Sequence, residues 1–132
     1  GAYRSWMLSA LSDKVKAGVA VCWMVTTDCQ LSWEYGKERG GFANMLPGIR
    51  RYLDYPHIAS IACPKPMFFL NGEHDKLFPR VGVNAAFAEM RKVWESRSAG
   101  EKLVTELWDM PHDCGIKVQD AILSFLEKNL AH

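Results

Sequence analysis

The sequence predicts an α/β fold, with about three parallel strands flanked by helices. Short apolar runs of strand length alternate along the chain with longer stretches whose apolar residues repeat at helical spacing. Glycine, proline and asparagine residues separate these runs and end regular structure between them. Strands that alternate with helices imply a parallel sheet with right-handed crossovers.

Three segments are predicted to be strands. Gly18–Val25 and Met67–Leu70 are continuous apolar runs, as expected of strands that are buried on both faces. Asn71 and Gly72 close the second run with turn-forming residues. Lys102–Trp108 is more polar than the other two, as expected of a strand nearer the edge of the sheet.

Three segments are predicted to be helices. They are Ala2–Ser12, the stretch from Pro79 to about Ser96, and Ile116 to about Leu130. The second has the clearest amphipathic pattern and is predicted to pack in the core rather than to bind a cofactor. The predicted face of the last helix comprises Gln119, Ile122, Leu123, Leu126 and Leu130.

Thr26–Cys63 is predicted to be an irregular excursion after the first strand, with short helices near Ile49–Leu53 and His57–Ala62. So long a connection in a compact domain is typically a lid or a pocket-lining loop. A packed excursion without a ligand is the alternative. The segment also carries aromatic residues, which argue against disorder: Trp33, Tyr35, Phe42, Tyr52 and Tyr55.

The composition fits a single domain over residues 1–132, 48% hydrophobic and 23% charged. The net charge of +1 argues against nucleic acid or an anionic membrane as a partner. No apolar run approaches the ~20 residues of a membrane helix, and the first residues lack a signal-peptide pattern. The four cysteines form no C-x-x-C pair, which favours free thiols and a cytoplasmic location: Cys22, Cys29, Cys63 and Cys114.

The predicted sheet is expected to continue beyond this chain. A strand buried on both faces needs a neighbour on each edge, but only Met67–Leu70 is clearly supplied for Gly18–Val25. The helix Ala2–Ser12 also begins without a capping residue in front of it. The chain is therefore predicted to be one half of a larger sheet.

Asp75 and His112 are the candidate functional residues. Asp75 follows the strand Met67–Leu70, and His112 follows the strand Lys102–Trp108. The carboxyl ends of parallel strands share one rim, where open α/β sheets place their chemistry. A carboxylate beside an imidazole can hold one tautomer and stabilise its charged form. The alternative for Asp75 is a turn or helix cap.

The segments PKPMFFLNGEHDKLFP and MPHDCG, with the closing helix, resemble the C-terminal half of an α/β-hydrolase. The likeness is to the dienelactone hydrolase and acetyl xylan esterase-like branch. In that family the acid follows the seventh strand in a G-x-x-D pattern, matched by Gly72 and Asp75. The histidine follows the eighth strand, often after proline, as in Pro111-His112. The resemblance covers essentially the whole chain, and its order agrees with Ser, Asp, His.

This resemblance implies a carboxylic-ester hydrolase that acts on a small-molecule ester through a serine nucleophile. His112 would be the general base and acid, Asp75 would orient it, and no metal or organic cofactor would be needed. The sequence contains no G-x-S-x-G elbow. If Ala2–Ser12 is the helix after the elbow, Gly1 matches the elbow's last glycine and the serine lies two residues upstream. The chain alone is then expected to be inactive.

Other residues near the predicted site have alternative interpretations. His74 is interpreted as a solvated neighbour of Asp75. Cys114 is expected to pack under the final helix, rather than to act as a nucleophile or to bind a metal with His112. Pocket lining and core packing are equally open for three residues near the end of the first strand: Trp23, Met24 and Thr26.

A second hypothesis is a non-catalytic α/β module. The open edge of Gly18–Val25 could pair with a second copy of the chain or with a separate N-terminal half. An unpaired inner strand is a template for another strand, so a homo-oligomer or a two-part assembly is expected.

Overall fold

A computed structural model describes residues 1–32 and 45–131. Three parallel strands form its sheet: β1 (Gly18–Val21), β2 (Met67–Gly72) and β3 (Leu103–Trp108). Their spatial order is β1-β2-β3, so that β2 lies in the middle. The predicted fold class, three parallel strands flanked by helices, is confirmed.

The register brings the ends of the strands to one rim. Gly18 of β1 lies opposite Met67 of β2, which also lies opposite Leu103 of β3. At the other end Gly72 lies opposite Trp108. The loops that follow β2 and β3 therefore start side by side.

Five α-helices surround the sheet within the described residues. They are α1 (Ala2–Leu11), α2 (Thr27–Gln30), α3 (Tyr55–Ser60), α4 (Arg80–Ser96) and α5 (Ile116–Leu130). Two 3-10 turns, Ile49–Arg51 and Gly100–Lys102, complete the regular structure. Within the described ranges, no helix has both the length and the apolar character needed to cross a membrane.

The first strand is shorter than the sequence predicts. Cys22 has φ 54°, in the left-handed region, so the extended backbone ends at Val21 instead of continuing to Val25. Val25 is nevertheless fully buried, so its apolar character reflects the core and not a strand. Conversely, β2 runs two residues beyond Leu70, to Gly72.

The sheet is covered on both faces. One face carries the main core, where the fully buried side chains of Phe69 and Met67 meet Trp94 of α4. The other face carries a smaller core in which Phe68 and Leu70 pack against α5. This two-sided burial explains why β2 is a continuous apolar run.

Asp54 joins the two ends of the excursion after β1. The Asp54 carboxylate accepts hydrogen bonds from the backbone N–H groups of Tyr55 (2.7 Å) and Thr27 (2.9 Å). His57 Nδ1 accepts one from the Asp54 N–H (2.9 Å), which caps the short helix α3. Trp33, Tyr35 and Phe42, predicted to give this excursion aromatic mass, lie outside the described residues.

The predicted face of α5 is correct only in part. Ile122 packs in the smaller core, whereas Leu123, Leu130 and Gln119 are exposed. The face of α5 that packs on the sheet is shifted by one residue from the predicted face. Val118 is buried, and the ring centroids of Phe125 and Phe68 lie 5.5 Å apart. The sequence of α5 offers two overlapping apolar stripes at helical spacing, and only the sheet selects between them.

We expect Phe125→Ala to lower the free energy of unfolding by about 2 kcal/mol, less than the ~3–5 kcal/mol of a wholly buried phenylalanine. Its matched control is Leu123→Ala, which removes an exposed side chain of the same helix and should cost less than about 0.5 kcal/mol. Urea unfolding followed by circular dichroism measures both. A larger cost for Leu123→Ala would restore the predicted helix face.

Candidate functional site

Asp75 is held in a buried turn directly after β2. Its side chain is fully buried, and its Oδ1 accepts a hydrogen bond from the Leu77 N–H (2.8 Å). The Asp75 N–H in turn donates to the Gly72 carbonyl (3.3 Å). One carboxylate oxygen of Asp75 therefore caps the turn, as the alternative interpretation expected. The other oxygen, Oδ2, can bind a different group.

The loop that carries His112 is fastened to the loop that carries Asp75. The Glu73 N–H donates to the Trp108 carbonyl (2.8 Å), and the His74 N–H donates to the Met110 carbonyl (3.1 Å). These backbone bonds continue the pairing of β2 with β3 beyond the sheet. The two loops consequently have a fixed relative position.

Gly72 makes this close approach possible. A Cβ atom at Gly72 would meet the carbonyl oxygens of Met110 and Pro111, the latter at 2.5 Å. Both obstacles are backbone atoms, so a side chain could be accommodated only by moving the His112 loop. The close approach of the His112 loop thus gives a steric reason for the glycine in the G-x-x-D pattern.

Asp75 and His112 form a hydrogen-bonded pair. His112 Nδ1 lies 2.8 Å from Asp75 Oδ2, and the His112 side chain is about half exposed. The ring of Phe78 is nearly parallel to the imidazole, at 6.1 Å between centroids. A buried carboxylate at Nδ1 fixes the orientation and tautomer of the ring. The second ring nitrogen then remains free for proton transfer.

A cavity of about 600 Å³ adjoins His112. Gly1 and Ala2, at the amino end of α1, lie on the same cavity, as does Cys22. A helix amino end presents unpaired N–H groups and a partial positive charge, which favour negative charge nearby. The cavity therefore joins the His112 imidazole to a helix end that favours negative charge.

His74 forms a second imidazole–carboxylate pair on the same two loops. Its Nε2 lies 2.7 Å from Asp109 Oδ1, with side-chain exposures of 66% and 89%. His74 is thus exposed, as the sequence suggests, but it has a carboxylate partner. Exposed pairs are weak because water screens them. This pair differs from Asp75–His112 mainly in burial.

Cys114 does not pack under the final helix, contrary to the prediction. It is exposed, in the loop before α5, and its carbonyl accepts a hydrogen bond from Gln119 Nε2 (2.9 Å).

Cys22 lies beside the pair and was missed from the sequence. Its thiol donates to the Asp113 carbonyl at 3.6 Å. Burial raises the pKa of the Cys22 thiol, and the nearby Asp75 charge raises it further. The thiol is thus poorly suited to act as a nucleophile. The sequence placed Cys22 inside the predicted strand Gly18–Val25, and nothing local distinguishes it from a core cysteine.

Trp23, which follows Cys22, belongs to a cluster of aromatic side chains. Trp23 contacts Phe78 and Tyr3, with ring centroids 5.3 and 4.8 Å apart. Met24 is fully buried, which favours its core interpretation. Trp23 therefore supports the ring that stacks on His112.

The chain is similar to known hydrolases and esterases. It is 28% identical over 101 residues to the putative hydrolase YtaP of Bacillus subtilis (strain 168), a match that covers 76% of this chain and 33% of that protein. The chain thus spans about a third of the length of this curated relative. No protein-family model matches the sequence.

Two solved structures share its fold. Methylesterase BT1017 superposes with a TM-score of 0.71 at 16% identity, over 98% of this chain and 28% of that one. A carbohydrate esterase family 15 glucuronoyl esterase from Caldicellulosiruptor kristjansonii gives 0.74 at 13% identity, over 98% and 40%. At these identities the likeness is one of fold.

We expect Gly72→Ala to destabilise the chain by about 1–3 kcal/mol, because the methyl group collides with backbone of the His112 loop. Gly100→Ala is the control, since its added Cβ would meet only Glu95 Cγ at an ordinary 3.5 Å. That variant should be neutral or slightly stabilised. Thermal unfolding of both variants decides, and equal melting temperatures would contradict the close approach.

Proposed function

We propose that this chain is the acid- and histidine-bearing part of a carboxylic-ester hydrolase of the α/β-hydrolase fold, since its sheet and helices superpose on part of two solved esterases. The observation that carries the proposal is the contact of His112 Nδ1 with the buried Asp75 carboxylate. The pair lies beyond the carboxyl ends of parallel strands, which is where open α/β sheets place their binding and active sites. The names of the relatives, a putative hydrolase and two esterases, support the same class.

The proposed chemistry is acyl transfer in two steps. His112 takes the proton of a serine hydroxyl as its oxygen attacks the ester carbonyl carbon, and returns that proton to the departing alcohol. His112 then takes a proton from water as the water attacks the acyl-enzyme, and returns it to the serine oxygen when the acid is released. Asp75 stabilises the imidazolium that forms in each step without becoming protonated.

The serine in this proposal is contributed by a segment outside the present sequence. Ser5 and Ser9 of α1 already donate their hydroxyls to the Val19 and Ser5 carbonyls, at 2.6 and 2.8 Å. They lie within a helix rather than on an exposed turn. The cavity shared by Gly1, Ala2 and His112 is where a residue immediately before α1 would meet the imidazole.

The proposed substrate is a small-molecule carboxylic ester. An open cavity of about 600 Å³ has room for a small acyl group and part of the alcohol.

The direct test is ester hydrolysis by the protein that the native gene encodes, with whatever precedes Gly1 included. Asp75→Asn should lower kcat for p-nitrophenyl acetate by about 10⁴-fold, the effect of the equivalent change in the serine-protease worked example. His112→Ala should be at least as damaging. Steady-state kinetics with circular dichroism as a folding check measures both effects.

The matched controls are His74→Gln and Asp109→Asn, which break the exposed pair on the same loops. Both variants should retain the activity of the parent protein within about twofold, since surface pairs contribute little. Equal losses in the two pairs would point to general disturbance of the loops. Undiminished activity in His112→Ala would refute the proposal.

A second candidate function is assembly through the edge of β1. Within residues 1–32 and 45–131, β1 pairs with β2 alone, which leaves its other edge without a strand. We propose that an added strand, from a second copy or from an N-terminal half, covers this edge. Multi-angle light scattering of the chain at micromolar concentration should then show a dimer or larger species. A strictly monomeric chain would exclude self-association.

A further inference from the structure

We propose that Cys22, Asp75 and His112 form a binding site for a divalent cation that favours sulfur ligands, and that Zn²⁺ is the expected ion. Each residue offers one ligand atom, and the three atoms lie within 4.8 Å of one another. They come from three separate stretches, after β1, after β2 and after β3. Sulfur, imidazole nitrogen and carboxylate oxygen together are a donor set that zinc accepts.

The ligand atoms must move to accept the ion, because their separations extend from 2.8 Å to as much as 4.8 Å. Zinc bonds of about 2.0–2.3 Å at tetrahedral angles set ligand atoms roughly 3.3–3.8 Å apart. The hydrogen-bonded pair His112 Nδ1 and Asp75 Oδ2 lies closer than this, at 2.8 Å, and would have to open. The half-exposed His112 is the member free to move.

The ion can reach the site through the cavity that adjoins His112. Cys22 and His112 both line it, although Cys22 itself is only 3% exposed. Water in this cavity can supply the fourth ligand, so the site has the open coordination position typical of accessible zinc. The ion would replace the thiol proton, which leaves to water, while the proton between His112 Nδ1 and Asp75 moves to Nε2 of the imidazole.

The consequence for a hydrolase is inhibition. An imidazole bound to zinc through Nδ1 loses its carboxylate partner, and the ring no longer has the orientation or the basicity for proton transfer. This consequence rests on the proposed function, whereas binding of the ion does not. A binding measurement on the chain therefore separates failure of the cation site from failure of the esterase proposal.

The test is titration of the chain with Co²⁺ under reducing conditions, followed by absorption spectroscopy. Cobalt on a cysteine ligand gives a sulfur-to-metal charge-transfer band in the near ultraviolet and visible bands typical of four-coordinate sites. We expect both, and added Zn²⁺ should bleach them by competition. Cys22→Ser should remove the charge-transfer band, and His112→Gln should weaken cobalt binding at least about tenfold.

Cys114→Ser is the matched control, because this exposed thiol lies on the same cavity but outside the three-residue cluster. It should retain the full band. A wild-type chain without the band, or a band that survives Cys22→Ser, overturns the proposal. If Cys22→Ser does not fold, His112→Gln decides, since unchanged affinity in that variant is equally fatal.

Discussion

The arrangement of this protein depends on the burial of β2 between two parallel neighbours. All six residues of Met67–Gly72 are buried, with one core on each face of the strand. A central strand of this kind cannot shift register without exposing apolar side chains and breaking two ladders. Its carboxyl end is therefore a fixed point, and the Asp75 turn begins only three residues beyond Gly72.

The same constraint reaches His112 through the backbone. Pairing of β2 with β3 ends at Gly72 and Trp108, and further backbone bonds join the two loops past that point. Because Gly72 has no side chain, the chain around Pro111 can cross directly over it. The imidazole is thereby brought to Asp75 by main-chain geometry, before any attraction between the two side chains is considered.

Burial separates the two imidazole–carboxylate pairs on this rim. His112 and His74 lie at nearly equal distances from their carboxylates, but the Asp75 side chain is fully buried whereas that of Asp109 is 89% exposed. Interactions between charges strengthen as water is excluded, so Asp75 can influence its imidazole far more than Asp109 can. Asp75 also divides its oxygens between the Leu77 N–H and His112, which prevents the carboxylate from turning away.

Cys22 connects the site to the edge of the sheet. Its left-handed backbone ends β1 and directs the chain away from the ladder just where its thiol approaches Asp113. The cavity between this point and the amino end of α1 is lined by residues of both, so the rim and the open side of β1 meet there. The proposed cation site and the proposed proton-transfer pair share Asp75 and His112 at this meeting point. That overlap makes the proposed ion an antagonist of the proposed chemistry.

The alternation of strands and helices, the bounds of α5 and the loop positions of Asp75 and His112 follow from the sequence alone. These features depend on periodicity and turn residues within a few positions, so local sequence is enough to predict them. The packed stripe of α5, the exposure of Cys114 and the position of Cys22 beside the pair depend instead on how distant parts of the chain come together. The Cys22 thiol and the Asp113 carbonyl are 91 positions apart in sequence. Their contact is set by how three strands align in the sheet, a global property that no local pattern encodes.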